Sequence, residues 1–357
     1  MKILVATDAW HPQVNGVVRT LGHLAREATA LGVRIEFLTP DDFLTLPLPS
    51  YPEIRLALIP PGRVAQMLDR SAPDAIHIAT EGPIGRAMRK LCLKRGLPFT
   101  TSFHTRFPDY IAERLPLPAR WSAALGWRLM RHFHSPSAIV MAATPGLASE
   151  LTARGFPRVG LWPRGVDTDT FYPRTGADLG LPRPVFLTVG RVAPEKNLEA
   201  FLSLDLPGSK VVVGDGPSRA ALQRRFPEVI FLGTRTGDQL AATYAAADVF
   251  VFPSRTDTYG LVLLEALASG VPIAAFPAAA PRDVIGSAPV GALHENLRLA
   301  CLAALALNRD NCREFADRLT WRASARAFLS HVEQASEHAR RADRRAEALL
   351  AQEPTRA

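Results

Sequence analysis

Arg191 and Lys196 sit five residues apart in Thr188-Val-Gly-Arg-Val-Ala-Pro-Glu-Lys-Asn197, just after the apolar run Val185–Val189. That run reads as a buried strand ending at Gly190, with Arg191 at its tip and Lys196 beside a helix start. A cation pair there suits a diphosphate leaving group, because negative charge grows on it as its bond to the transferred group breaks. By themselves, an Arg and a Lys in a loop are equally well surface charges.

Two carboxylates follow in Ser254-Arg-Thr-Asp-Thr-Tyr-Gly-Leu-Val-Leu-Leu-Glu-Ala-Leu-Ala-Ser-Gly270. A strand, Val249–Phe252, runs into a loop holding Asp257 and Gly260, then into a helix stopped by Gly270 and Pro272. The first turn of such a helix offers unpaired N–H groups and a positive dipole end to a phosphate. Thr258, Tyr259, Gly260 and Leu261 are therefore expected to line the ligand. Asp257 in the loop and Glu265 one to two turns into the helix are acceptor-only groups, able to take paired hydroxyls of a sugar or a ribose. The bland reading makes Asp257 a helix cap and Glu265 a surface residue. Against it, Glu265 stands within Leu263-Leu264-Glu-Ala-Leu267, where a lone charge is costly without a partner.

Weaker signals sit at other strand ends. Asp8-Ala-Trp-His-Pro-Gln-Val-Asn-Gly16 follows the first strand and precedes a helix, which makes Asn15 and Gly16 a candidate phosphate loop. His104 closes the strand in Thr101-Ser-Phe-His-Thr-Arg106. Gly214-Asp-Gly-Pro217 and Phe231-Leu-Gly233 could seat a nucleobase and are equally good turns.

The elements that must carry these residues alternate short β-branched runs with helix-length amphipathic segments, the pattern of parallel α/β domains. In the first half the runs are Lys2–Thr7, Arg34–Leu38, Ile54–Ile59, Ala75–Ile78, Phe99–Phe103, Ile139–Ala143 and Val159–Trp162. Residues 167–183 have no apolar period, and the pattern restarts with Val185–Val189, Lys210–Val213, Val229–Leu232, Val249–Phe252 and Ile273–Phe276. Two doubly wound domains are expected, over residues 1–168 and 169–318, with ligands in a cleft at the strands' carboxyl ends. From about residue 319 a helix carries Trp321, Ala325, Phe328, Leu329 and Val332 at spacings that demand packing, expected on the first domain, and residues 338–357 read as a charged helical tail.

At 357 residues the chain suits two domains, and 47% apolar residues suffice for their cores. Cys92, Cys301 and Cys312 show no CxxC spacing, which fits free thiols in a reducing cytosol and argues against a zinc site. MKILVATDAW is too short for a signal segment and reads as a core strand, and no stretch nears the roughly 18 apolar residues of a membrane span. Residues 1–175 hold 21 Lys and Arg against 14 Asp and Glu, so most of the net +8 lies in the first half. Nucleic acid, anionic lipid, a phosphate-bearing substrate or a merely basic surface would each account for it.

Taken in order, an N-terminal Gly loop, Phe103-His-Thr105, Gly165-Val-Asp167, Gly190-Arg-x4-Lys196 and an acidic residue eight before Glu265 resemble the retaining glycosyltransferases of family 4. The likeness covers nearly the whole chain. The opening loop and Thr256-Asp-Thr-Tyr-Gly260 are most similar to the branch of lipid α-mannosyltransferases and sulfoquinovosyl- or glucuronosyl-diacylglycerol synthases. The resemblance implies the GT-B fold, two Rossmann-like domains around a cleft. It also implies diphosphate contacts from Arg191 and Lys196, a phosphate contact from the Gly16 amide, ribose contacts from Glu265, and Asp257 and His104 facing the donor sugar, His104 near its 6-position. The chain departs from the family in having Asp257 where Glu is usual and Arg164 where Asn is usual.

The expected reaction moves a hexose or uronic acid from a UDP-sugar or GDP-mannose to a hydroxyl, a membrane lipid such as diacylglycerol in the first instance or a saccharide. No hydrolase-type nucleophile and acid pair is placeable on both faces of a sugar, so a same-face, retaining transfer is expected. Asp167-Thr-Asp169 matches a metal motif of the other major glycosyltransferase fold but lies in the interdomain segment. With Arg and Lys to neutralise the diphosphate, neither metal nor other cofactor is expected. Ala119–Phe133 places Trp121, Leu125, Trp127, Leu129 and Met130 beside Arg120, Arg128, Arg131 and His132, which suits either an anionic membrane surface or a core helix with a wet basic face. The expected location is cytoplasmic, peripheral on the inner face of the membrane. A sugar-nucleotide epimerase on the same fold and a non-catalytic nucleotide-sugar module are the alternatives. A nucleic-acid partner is not expected, because the aromatic–basic platforms of RNA readers are missing.

Overall fold

A computed structural model describes residues 1–13, 15–48, 51–104 and 119–350 of the chain. The fold divides into two compact units, one of residues 1–163 with the segment from Ser324, the other of residues 164–323.

In the first unit, β1 (Lys2–Ala6), β2 (Arg34–Leu38), β5 (Ala75–Ile78), β6 (Thr100–Phe103), β7 (Val140–Ala142) and β8 (Val159–Leu161) form a parallel sheet in the order β2-β1-β5-β6-β7-β8, and β3 (Leu44–Leu48) and β4 (Tyr51–Leu58) form a separate antiparallel hairpin. Between them run α1 (Gly16–Ala30), α2 (Arg63–Ser71), α3 (Pro83–Arg95), α4 (Ala119–His134) and α5 (Pro145–Ala153). The apolar run at 54–59, expected in the main sheet, is thus half of that hairpin. Leu44 faces Leu58 and Leu46 faces Leu56 across it, all four exposed, while Ala57 between them is buried. The inner strands β1, β5, β6 and β7 are buried along nearly their whole length, as strands covered on both faces of a parallel sheet are, while the edge strands β2 and β8 are partly exposed.

The second unit is built from β9 (Val185–Val189), β10 (Ser209–Val213), β11 (Ile230–Phe231), β12 (Val249–Phe252), β13 (Ile273–Ala275) and β14 (Gly291–Leu293), with α6 (Glu199–Leu202), α7 (Arg219–Arg225), α8 (Gly237–Ala245), α9 (Leu261–Ala268), α10 (Ala279–Ile285), α11 (Leu297–Ala304) and α12 (Arg309–Asp317). Its sheet is parallel in the order β11-β10-β9-β12-β13-β14. Both orders reverse direction once, between β1 and β5 in the first unit and between β9 and β12 in the second. Such reversal points separate the loops that follow the two strands and leave a crevice for ligands.

The last helix, α13 (Trp321–Leu350), buries Ala325, Phe328, Leu329 and Val332 against Ile3, Val5, Leu21, Leu24 and Trp162 of the first unit. The side chains of residues 339–350 and all of residues 351–357, most of the tail read at 338–357, lie outside the described residues. Among the described residues, no helix is long and apolar enough to cross a membrane. Cys92, Cys301 and Cys312 are buried free thiols.

Asp8, at the end of β1, ties that strand to the next crossover. Its carboxylate accepts from the amides of Ile84 (2.8 Å) and Gly85 (3.2 Å) and from Thr80 Oγ1 (2.9 Å), so it caps α3 from 76 residues away in sequence. A Cβ at Gly82 would lie 2.4 Å from the Asp8 Cγ, so a glycine is required there. Burial raises the Asp8 carboxyl above its ordinary value despite those donors. A carboxyl that holds its proton more tightly when folded stabilises the fold below its unfolded value, and that contribution fades as pH rises through the folded one. Asp8→Ala should lower the unfolding free energy by about 1–2 kcal/mol, as loss of a helix cap does, and should flatten this part of the pH profile, both read from urea titrations.

Candidate active site

The loops after β9 and β12 meet at the second sheet's reversal point and are laced together. After β9 a 3-10 turn, Pro194–Lys196, ends at Asn197, whose left-handed backbone (φ 52°) turns the chain into α6. Asn197 Nδ2 donates to the carbonyl of Pro253 (3.1 Å), and Ser254 Oγ and Thr256 Oγ1 each donate to the carbonyl of Glu195 (3.4 Å). Across this lacing Lys196 Nζ donates to Asp257 Oδ1 at 2.6 Å, with both side chains about three-quarters buried. Lys196 thus reaches a carboxylate that sequence reading had aimed at a sugar. The other oxygen, Asp257 Oδ2, is buried without a hydrogen-bond partner among the described residues. Such an acceptor costs about 1–3 kcal/mol until something donates to it.

Arg191 lies between Gly190 and the buried Val192 on the same β9 loop, and Thr258, Tyr259 and Gly260 complete the β12 loop up to Leu261, the first residue of α9. Gly260 takes φ 79° at the N-cap and, having no side chain, offers no cap of its own to the first-turn amides of α9. The Tyr259 phenol is pushed up to about 12 by burial, against the opposing charge and amide of Arg164. Arg164 is itself buried, and its guanidinium is pushed down to about 10. Glu265 is only 3% exposed, which removes the surface reading, and its Oε2 accepts from the fully buried Tyr244 hydroxyl (3.0 Å) on α8. Its apolar surroundings demand a partner of this kind.

Gly214 and Gly233 follow β10 and β11. The amide of Gly190 donates to Val213 O (3.0 Å) and that of Gly214 to Gly233 O (2.8 Å), so three successive strand ends are held edge to edge. A Cβ on Gly214 would sit 1.9 Å from the Gly190 carbonyl oxygen. This glycine serves close backbone approach, whatever else lies beside it.

In the first unit, Asn15 caps α1, its Oδ1 accepting from the amides of Val17 and Val18 (both 3.0 Å), and Gly16 is the first residue of the helix. The cap takes those two amides and not that of Gly16. His104, just past β6, places Nε2 2.8 Å from Ser102 Oγ and its ring edge-on to Trp162 at 5.7 Å. Thr105 and Arg106 of the same motif lie outside the described residues. Asp167 spends its oxygens on the amides of Asp169 and Thr170 and on Thr170 Oγ1, a local turn.

On α4 the expected aromatic stripe divides. Trp121, Leu125 and Leu129 are 63%, 45% and 52% exposed, but Met130 is buried and Trp127 lies parallel to Phe103 with Arg154 over its ring. The helix is seated by His134, held between Glu81 Oε1 (3.0 Å) and Thr101 Oγ1 (2.9 Å). That seating turns the Trp121–Leu125–Leu129 row, spaced four residues apart, to the outside.

Sequence reading missed the residues that position the charged groups: Asn197, Ser254 and Thr256 in the lacing, Tyr244 under Glu265, and Ser102 beside His104. Only Asn197 carried a signal, because Asn tolerates the left-handed turn conformation there.

Residues 14–170 match Glycosyltransferase Family 4, and residues 183–320 match Glycosyl transferases group 1. The GDP-mannose-dependent alpha-mannosyltransferase of Mycobacterium tuberculosis is 32% identical over 320 residues, covering 80% of this chain and 81% of that protein. The alpha-monoglucosyldiacylglycerol synthase of Acholeplasma laidlawii is 24% identical over 317 residues, covering 76% of this chain and 79% of that protein. Among solved structures, a sucrose-phosphate synthase from Thermosynechococcus elongatus superposes with a TM-score of 0.74 at 20% identity, covering 93% of this chain and 98% of that one. Fold and matches together define a glycosyltransferase with the GT-B fold. The chain belongs to glycosyltransferase family 4, in the branch its loop motifs resemble.

Tyr244→Phe removes one donor to the buried Glu265 carboxylate and should cost about 1–3 kcal/mol of stability, as loss of a hydrogen bond to a charged group does. Chemical denaturation checks this.

Proposed function

We propose that the protein is a retaining, metal-independent glycosyltransferase that moves a hexose or uronic acid from a nucleotide-diphosphate sugar to a hydroxyl of a membrane lipid such as diacylglycerol. The observation that carries the donor reading is the Lys196–Asp257 pair at the second sheet's reversal point, with Asp257 Oδ2 buried and lacking a donor among the described residues. A sugar hydroxyl would supply that donor, while the Lys196 ammonium, neutralised by one carboxylate oxygen, keeps two further protons for diphosphate oxygens. Arg191 adds the second cation, the first turn of α9 adds amides, and Glu265 takes ribose hydroxyls. The unit of residues 164–323 is assigned the donor nucleotide and the unit of residues 1–163 the acceptor. From the latter, the Gly16 amide is assigned to a phosphate and His104 to the sugar.

In the reaction, the bond from the sugar's anomeric carbon to the diphosphate oxygen breaks while the acceptor oxygen bonds to that carbon on the same face. The acceptor's proton passes to the departing phosphate. Arg191 and Lys196 stabilise charge that is largest in the transition state, which is where preorganised cations accelerate a reaction. The relatives named for GDP-mannose and for a diacylglycerol product support the choice of donors and acceptor to test. The exposed Trp121, Leu125 and Leu129 beside Arg128 and Arg131 support a lipid surface, where each nearby cation is worth about 1 kcal/mol on anionic headgroups. That surface supports an inner-face, peripheral location.

Incubation with UDP-glucose, UDP-glucuronate and GDP-mannose should release nucleotide diphosphate only when diacylglycerol vesicles are present, with an α-linked glycolipid as product. Accumulation of an epimerised nucleotide sugar without release would overturn the assignment. Lys196→Ala should lower turnover on the order of a hundredfold, and near-normal turnover in that variant would remove Lys196 from the chemistry. Wild-type protein should float with phosphatidylglycerol vesicles and not with phosphatidylcholine, and Leu125→Glu with Leu129→Glu should abolish flotation. Equal flotation of both proteins would take α4 out of the membrane contact.

A further inference from the structure

Behind His104 lies a hydrogen-bonded chain that leads into the middle of the first sheet. Ser102 Oγ is 2.8 Å from His104 Nε2 and 3.1 Å from His77 Nε2, and His77 Nδ1 is 2.9 Å from Thr100 Oγ1. His77 sits on β5 directly opposite Thr100 of β6, and alternation along β6 brings Ser102 to the same face. His77 and Ser102 are fully buried and Thr100 nearly so. The His77 ring is walled edge-on by Phe328 at 4.9 Å and Trp162 at 5.9 Å, and the same Trp162 flanks His104.

Across these three hydrogen bonds, one arrangement spends the hydroxyl protons of both Thr100 and Ser102. Thr100 Oγ1 has His77 Nδ1 as its hydrogen-bond partner, so its proton is spent only if it donates to that nitrogen. Were His77 protonated at Nδ1 instead, a buried hydroxyl proton would be stranded, which costs about 1–3 kcal/mol. With Nδ1 accepting, neutral His77 carries its proton on Nε2 and donates to Ser102 Oγ. Ser102 has one proton and two imidazoles to serve, and having accepted from His77 it donates to His104 Nε2. His104 then carries its own proton on Nδ1.

We propose that His77 is a positioning residue which, through Ser102, fixes neutral His104 as the Nδ1–H form. This rests on the assignment of His104 to the donor sugar. A ring nitrogen held as a donor selects for an oxygen that accepts: a hydroxyl lone pair, or more strongly the carboxylate or sulfonate of an oxidised or sulfonated sugar. The inside of the sheet thereby sets what the site edge can recognise, as second-layer partners set the tautomer of metal-bound histidines.

The test is nitrogen NMR of protein labelled with 15N-histidine, at about pH 8.5, where ordinary imidazoles are neutral. His77 should show a proton on Nε2 and a bare Nδ1, and His104 the reverse, in the wild-type protein. A proton on His104 Nε2 overturns the proposal outright. Ser102→Ala should turn the single His104 form into a mixture, and an unchanged His104 spectrum in that variant also overturns it. His77→Gln keeps an N–H within reach of Ser102 and should retain the wild-type His104 form, while His77→Asn, which reaches only toward Thr100, should lose it and lower turnover about tenfold. His104→Ala separates the two readings. Undiminished turnover there removes His104 from the sugar, while the tautomer pattern independently decides the relay.

Discussion

Lys196 and Asp257 would not meet without the reversal of strand order between β9 and β12. Neighbouring strands whose following loops diverge leave a gap at their carboxyl ends, and whatever bridges that gap defines the shape offered to a ligand. Here the bridge is mostly backbone: carbonyls of Glu195 and Pro253 accept from side chains on the opposite loop. The ion pair is laid across a frame that exists without it. An ammonium on a long flexible stem gives up about 2 kcal/mol of rotamer freedom when fixed. In this frame much of that cost is met during folding, before any donor arrives.

The two carboxylates of the second unit show how similar groups acquire different characters. Glu265 is sunk among leucines and takes the Tyr244 hydroxyl, so its position is set by packing. Asp257 is held by a charge on one oxygen and is short of a donor on the other. Its chain is one methylene shorter than the glutamate usual in the family, and its carboxylate lies 2.6 Å from the Lys196 ammonium. The first unit uses its titratable groups differently. Its buried groups (Asp8, Glu81, His134, His77) are bound into the sheet and helix ends, and their effect on chemistry is exerted through what they hold still.

Much of this architecture was legible because parallel strands covered on both faces must be apolar throughout, and runs such as Val185–Val189 have few other uses. The hairpin was misread for the converse reason. Its leucines face outward, so an apolar run signalled burial that does not occur, while Pro47 disguised the partner strand. The three-residue β14 was too short to register. In the site, charged residues at strand ends announced themselves, but their partners did not. Tyr244 lies 21 positions before Glu265, and Ser102 and His77 are small or buried residues whose spacing follows strand alternation. Such pairs become visible only when the register between strands is known. Trp127 and Met130 show the same limit on α4: a helix's apolar residues are apparent from sequence, and the side that meets the core is decided by its neighbours.

The three cysteines have a practical reach beyond packing. Burial drives each of Cys92, Cys301 and Cys312 up to about 12, far above any working pH, and all three are sealed from solvent. The native chain is therefore silent toward maleimides and similar thiol reagents while it stays folded. A single cysteine introduced on the outer row of α4 would be the one reactive thiol, so a fluorophore or spin label could be placed there without first stripping the native sulfurs from the cores they help fill.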